Sequence, residues 1–220
     1  MADEQTMKSI PRSAPTGGVG GEAAAATVGS AGAVVAIIGL AGVLPHLLAQ
    51  IGVIVVGAAL IAAQGTAVSR YGAGLSADER RQLGALPVSG GVTTEFVGGL
   101  TAALLGLLAL LGVAGPSLLA IGVIILGAVE IASGRSIGRI SQIMIEASDA
   151  SPRVKTLARE SAGGSLGAVL FIGMGGVALG ILALVVTSAS LPLVLVATLA
   201  LGLGALLDAA ARAEHASAAV

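Results

Sequence analysis

The residue in this chain best placed to do chemistry is Glu130, a carboxylate set inside the apolar phrase "LLAIGVIILGAVEIASG", residues 118–134. An ionisable side chain inside a membrane-length apolar segment is a candidate proton or cation site. The competing reading is structural, because Arg135 and Arg139 follow it within snorkelling reach and could hold it in an ion pair. Glu22, Glu95 and Glu160 each stand at the head of another apolar segment. If those segments packed symmetrically, three carboxylates could ring a mouth and attract cations. Acids also favour helix N-termini through the dipole alone. His46, beside Pro45, is a candidate pH sensor or metal ligand, although no second ligand lies near it in sequence and a histidine in a turn is ordinarily just solvated. Asp208 and Arg212, four residues apart, read as a helix-end pair.

No further constellation carries chemistry. There is no H-E-x-x-H, G-x-S-x-G, Walker or G-x-G-x-x-G element in a supporting strand context. The expectation is therefore no catalytic residue, no cofactor, no metal and no enzyme. Cysteine is absent, which removes disulfides, thiolate metal sites and thiol catalysis. The net charge of −1 provides no basic surface, so nucleic acid is not an expected partner.

These residues must be positioned by very apolar elements. The chain is 55% hydrophobic and 10% charged, with a mean hydropathy of +1.01, whereas soluble domains carry about 25% charged residues. The expected class is an integral membrane protein of all-α fold. Apolar sequence falls into three blocks, residues 23–66, 96–133 and 163–211, each about twice the length of one span. Each block breaks near its middle, at Leu44-Pro45-His46, at Gly112 to Pro116 and at Ser188 to Pro192. Proline suits the first turn of a helix and disfavours its interior. Each break is thus an expected turn between two helices. The six expected spans are 23–43, 46–66, 96–113, 116–133, 163–187 and 191–211.

The blocks also repeat one another. Residues 45–65 read "PHLLAQIGVIVVGAALIAAQG" and residues 116–134 read "PSLLAIGVIILGAVEIASG". Pro45 matches Pro116, and with Gln50 skipped, Ile51-Gly52-Val53-Ile54 matches Ile121-Gly122-Val123-Ile124. Gly57-Ala58 matches Gly127-Ala128, and Leu60 takes the place of Glu130. The third block keeps an outline, with Pro192 followed by Gly204-Ala205 at the spacing of Pro45 and Gly57-Ala58. The expected fold is a bundle of six transmembrane helices built from three helical-hairpin repeats. Gly32-xxx-Ala36, Gly99-xxx-Ala103, Gly163-xxx-Gly167 and Gly176-xxx-Gly180 would let those helices approach closely.

Charge sets an expected orientation. All eleven Lys and Arg lie in the N-terminal tail, in 67–94 and 134–162, or at the C-terminal end, while the turns at the other side carry no formal charge. The positive-inside rule then makes both termini and both long connections cytoplasmic. The expected organisation is a flexible tail over 1–22, with no convincing signal peptide. Hairpins over 23–66, 96–133 and 163–211 alternate with connections over 67–95 and 134–162, and a second tail covers 212–220. Within the connections, Ser76-Ala77-Asp78-Glu79 is a capping box opening a short helix. Ile137, Ile140 and Met144, with Arg135 and Arg139 alternating around them, suggest an amphipathic continuation at the membrane interface, and Ser151-Pro152 opens a helix leading into the fifth span.

The pattern "G-x-L-A-x-L-x-G … P-x-L-L-A-I-G-x-x-x-L-G-A-x-x-I-x-x-G" resembles the HdeD-like family of small bacterial membrane proteins. Gly106 to Gly134 carries it best, then Gly39 to Gly65, then Gly180 to Asp208. The resemblance implies a six-span inner-membrane protein, associated in some members with acid stress, and brings no catalytic residue with it. Such proteins usually have tryptophans flanking their hairpins, and this chain has none. One Tyr and two Phe cannot form an aromatic belt, so the expected partners beyond the lipid bilayer are copies of the chain itself or other membrane subunits.

Overall fold

The computed structural model describes residues 19–72, 89–147 and 152–217, with side chains for 26–62, 94–133 and 167–207. Among the described residues the fold is all-helical. Helix α1 is Val19–Leu40, α2 Pro45–Gly72, α3 Ser89–Leu110, α4 Gly115–Ala147, α5 Pro152–Val185 and α6 Ser190–Ser217. A short 3₁₀ turn, Thr187–Ala189, joins the last two. Four helices carry segments long and apolar enough to cross a membrane: Pro45–Ala62, Gly115–Ser133, Gly167–Val185 and Thr187–Leu207, the last taking in the 3₁₀ turn. Ala26–Leu40 and Thr94–Leu110 are shorter apolar stretches within the described residues.

The breaks fall where proline placed them. Pro45 is the first residue of α2 and Pro116 the second of α4, where a missing N–H costs no hydrogen bond. The first two turns have the same hydrogen bonds. Gly42 N–H donates to Gly39 O and Val43 N–H to Ile38 O, as Gly112 N–H donates to Ala109 O and Val113 N–H to Leu108 O. This is a Schellman cap, which needs a left-handed residue after the helix. Gly42 at φ 89° and Gly112 at φ 85° supply it. The numbers differ by a constant 70, so Gln50 is not skipped: Pro45 stands where Gly115 stands, and Gln50 where Ala120 stands.

The helices form two layers. The inner helices α2, α4 and α6 touch one another, and each outer helix lies between two of them: α1 between α6 and α2, α3 between α2 and α4, α5 between α4 and α6. Three backbone-close seams hold the layers together. A Cβ on Gly57 would stand 2.6 Å from Gly99 O and 3.0 Å from Ala103 N. One on Gly127 would stand 2.6 Å from Gly173 O and 2.8 Å from Val177 N. One on Gly202 would stand 2.9 Å from Ala33 N and 3.0 Å from Gly29 O. Where side chains shrink to hydrogen, two backbones can share dispersion contact over a long seam, which is what holds helices together in lipid.

These seams revise two packing expectations. The residue of α6 that makes the contact of Gly57 and Gly127 is Gly202; Gly204 meets Ile172 of α5 instead. No described residue lies within 4 Å of a Cβ built on Gly167, and Gly163 lies outside the described side chains, whereas Gly99-xxx-Ala103 and Gly176-xxx-Gly180 do line helix contacts. The described parts of the connections continue the helices. No helix end falls between Gly115 and Ala147, so residues 134–147 extend α4, and α5 runs unbroken from Pro152 into the fifth span as the capping signal suggested. The capping box at Ser76 and the tail over 1–18 lie outside the described residues.

Candidate functional site

The three seams give a common height scale. Counting back four residues from Gly57, Gly127 and Gly202 brings Val53, Val123 and Thr198 to one level, each fully buried. Thr198 Cγ2 lies 2.9 Å from a Cβ built on Gly52, and Val53 Cγ1 3.0 Å from one built on Gly122, so these side chains fill the space between inner helices. Val56, Leu126 and Leu201 form the next level, and all three are fully buried. Thr198 is the one polar side chain in these layers, and its hydroxyl donates to Val194 O at 2.8 Å, which satisfies it within its own helix.

One level further stand Leu60, Glu130 and Ala205, three residues past their glycines. Leu60 Cβ is 3.1 Å from a Cβ built on Gly99, Glu130 Cβ 3.1 Å from one on Gly173, and Ala205 Cβ 3.2 Å from one on Gly29. Glu130 therefore occupies the place that Leu60 holds on α2. It is 6% exposed. Arg135 and Arg139 follow it by five and nine residues on α4, and their side chains lie outside the described residues. Glu95, also 6% exposed, sits four residues before Gly99 on α3. Both carboxylates are engaged in interactions. Nearby Ser133, buried, donates to Val129 O at 2.8 Å.

The backbone positions of the three helix-entry acids lie at different distances from the seams. Glu95 is four residues before its seam glycine, Glu22 seven before Gly29, and Glu160 thirteen before Gly173. At 1.5 Å per residue they stand about 6, 10 and 20 Å below the seams. The side chains of Glu22, Glu160 and Asp208 lie outside the described residues. His46 is exposed in the first turn of α2, at the opposite end from Glu95 and Glu130. Among the described residues no group of three or more His, Cys, Asp or Glu could hold a metal ion.

Compared with known proteins, the chain matches no family model, no curated protein and no solved structure. Its own geometry is what carries the functional argument.

Sequence reasoning passed over Gln50. It is half-buried on α2, and its Nε2 donates to Ala109 O of α3 at 3.0 Å. The bond ties one hairpin to the turn of the next at the far end of the bundle. The residue's oddity was visible, since it is the one amide among residues 45–62, but its partner was not. Gln50→Leu should lower stability by roughly 0.6 kcal/mol, the average for such bonds within a membrane. Reversible unfolding in mixed micelles measures this, and a stabilised variant would show that the bond does not matter.

Proposed function

We propose that this chain is a six-span protein of structural or accessory type in a bacterial inner membrane, built from three hairpin repeats, with both termini cytoplasmic. In that reading it is an HdeD-like protein or a subunit of a larger membrane assembly, and it associates with copies of itself or with other membrane subunits. The observation that carries it is the filled centre: among the described residues Val53, Val123 and Thr198, then Val56, Leu126 and Leu201, are fully buried between the inner helices, and the one polar group in these layers, the Thr198 hydroxyl, is bonded within its own helix. Transporters place polar groups or broken helices near the bilayer midplane, and α2, α4 and α6 are unbroken there. Three matching seams and two matching turns support the repeat. Purification in mild detergent followed by native mass determination tests the assembly; recovery of monomer alone at native expression levels would count against it.

A second reading rests on Glu130 and Glu95, two buried carboxylates toward one end of an apolar bundle. In it the chain is a small channel or transporter, with Glu130 as the proton or cation group. Glu130→Gln separates the two. On the structural reading it inserts normally and shifts stability by about 1 kcal/mol, the usual size of one hydrogen-bonding change. Loss of an ion or proton flux measured in proteoliposomes would put the transporter reading first.

A further inference from the structure

The hairpin turns are apolar as well as uncharged. Leu44 is 65% exposed, Leu111 72% and Val185 74%, with Val43 and Val113 about half exposed beside them. The turn residues 41–44, 111–114 and 186–189 contain no charge, and only Thr187 and Ser188 are polar. Large apolar side chains grouped at one end of a molecule would be costly in water.

Three features say what covers them. The apolar segments abut the turns directly, beginning at Pro45, Gly115 and Thr187 and ending at Val185. Within the described residues they are 18 to 21 residues long, which is about 27–32 Å of helix against a hydrocarbon core of about 30 Å. Nothing is left at that end to cross a headgroup layer. At the other end the backbones of α2, α4, α5 and α6 run on into stretches that hold Arg70, Arg135, Arg139, Arg153, Lys155, Arg159, Asp208 and Arg212. The backbone at the turns is also largely self-satisfied. N–H groups of Ala41, Gly42, Val43, Leu111, Gly112, Val113, Val186 and Ala189 all donate within the turn or its preceding helix, and internal satisfaction is the condition for placing backbone in lipid.

We propose that the turn end of the bundle stays beneath the headgroups of the far leaflet, so that lipid, rather than water or another protein, covers Leu44, Leu111 and Val185. This rests on the membrane reading above. The molecule is then asymmetric across the bilayer, with helical extensions on the charged side and none on the other. His46 and Ser117, one or two residues into their helices, sit at the polar boundary.

Spin labels at single cysteines replacing Leu44, Leu111 and Val185 test this in phospholipid vesicles, with Leu104, exposed in mid-helix, as the reference. These sites are exposed, so labelling removes little packing; Val43 and Val113 are the alternates. Collisions with oxygen should exceed collisions with a water-soluble nickel chelate at all three turns, as at Leu104. The reverse at the turns, with Leu104 still oxygen-favoured, would overturn the proposal and leave the membrane reading intact. Low access to both agents, together with cysteine crosslinking between copies at Leu111, would overturn it in favour of a protein contact. Nickel-favoured collisions at Leu104 as well would sink the membrane reading itself.

Discussion

Gly127→Ala should destabilise the bundle by about 3 kcal/mol, the upper part of the range for overpacking a close-packed interior. The added methyl would lie 2.6 Å from Gly173 O and 2.8 Å from Val177 N. Both are backbone atoms, which no rotamer change can move aside, so the α4–α5 seam must open along its length. Gly57→Ala should behave alike, meeting Gly99 O at 2.6 Å, while Gly202→Ala, with contacts at 2.9 and 3.0 Å, should cost less. Gly167 and Gly175 provide the control, because no described residue lies within 4 Å of a Cβ built on either; alanine there should stay within about 0.5 kcal/mol of the parent. Unfolding in mixed micelles reads all five. Equal stability of the Gly127 and Gly167 variants would mean the close seam is absent.

The second large effect is all-or-none. Cysteines placed at Ser76 and Ser148 should react with an impermeant thiol reagent only after the membrane is opened. The native chain has no cysteine to confuse the result. A hydrophilic protease tag inserted after Ser188 should be cut from outside intact cells; Ser188 is exposed, whereas neighbouring Ser190 is buried. The reason is the charge distribution. Holding Arg135, Arg139, Arg153, Lys155 and Arg159 on the translocated side would oppose the positive-inside bias, while the turns have no charge to retain. Reaction of Ser76 and tag cleavage from the same side would break the six-span count.

Local rules made much of this legible in advance. Apolar runs gave the helices, and glycine and proline gave the turns within a few residues, because helix length and capping depend on neighbours along the chain. The equivalence of Glu130 with Leu60 was legible for the same reason, since both follow their glycines by three. The match of Pro45 to Pro116 with Gln50 skipped was an alignment of similar letters. The two turns instead keep a constant offset of 70, since capping hydrogen bonds, not leucines, determine where each helix begins.

What composition and periodicity determined alone was an all-helical apolar chain, its breaks, and the segregation of charge to one set of ends. Which helix touches which, and at what height, only the tertiary structure decided. Gly202 rather than Gly204 meets α1, and Gly127 meets Gly173 rather than a glycine of its own hairpin. One residue along a helix is 1.5 Å of rise and 100° of rotation. An interhelical contact therefore depends on the accumulated lengths and rotations of two helices and the turns between them, which no short stretch of sequence contains.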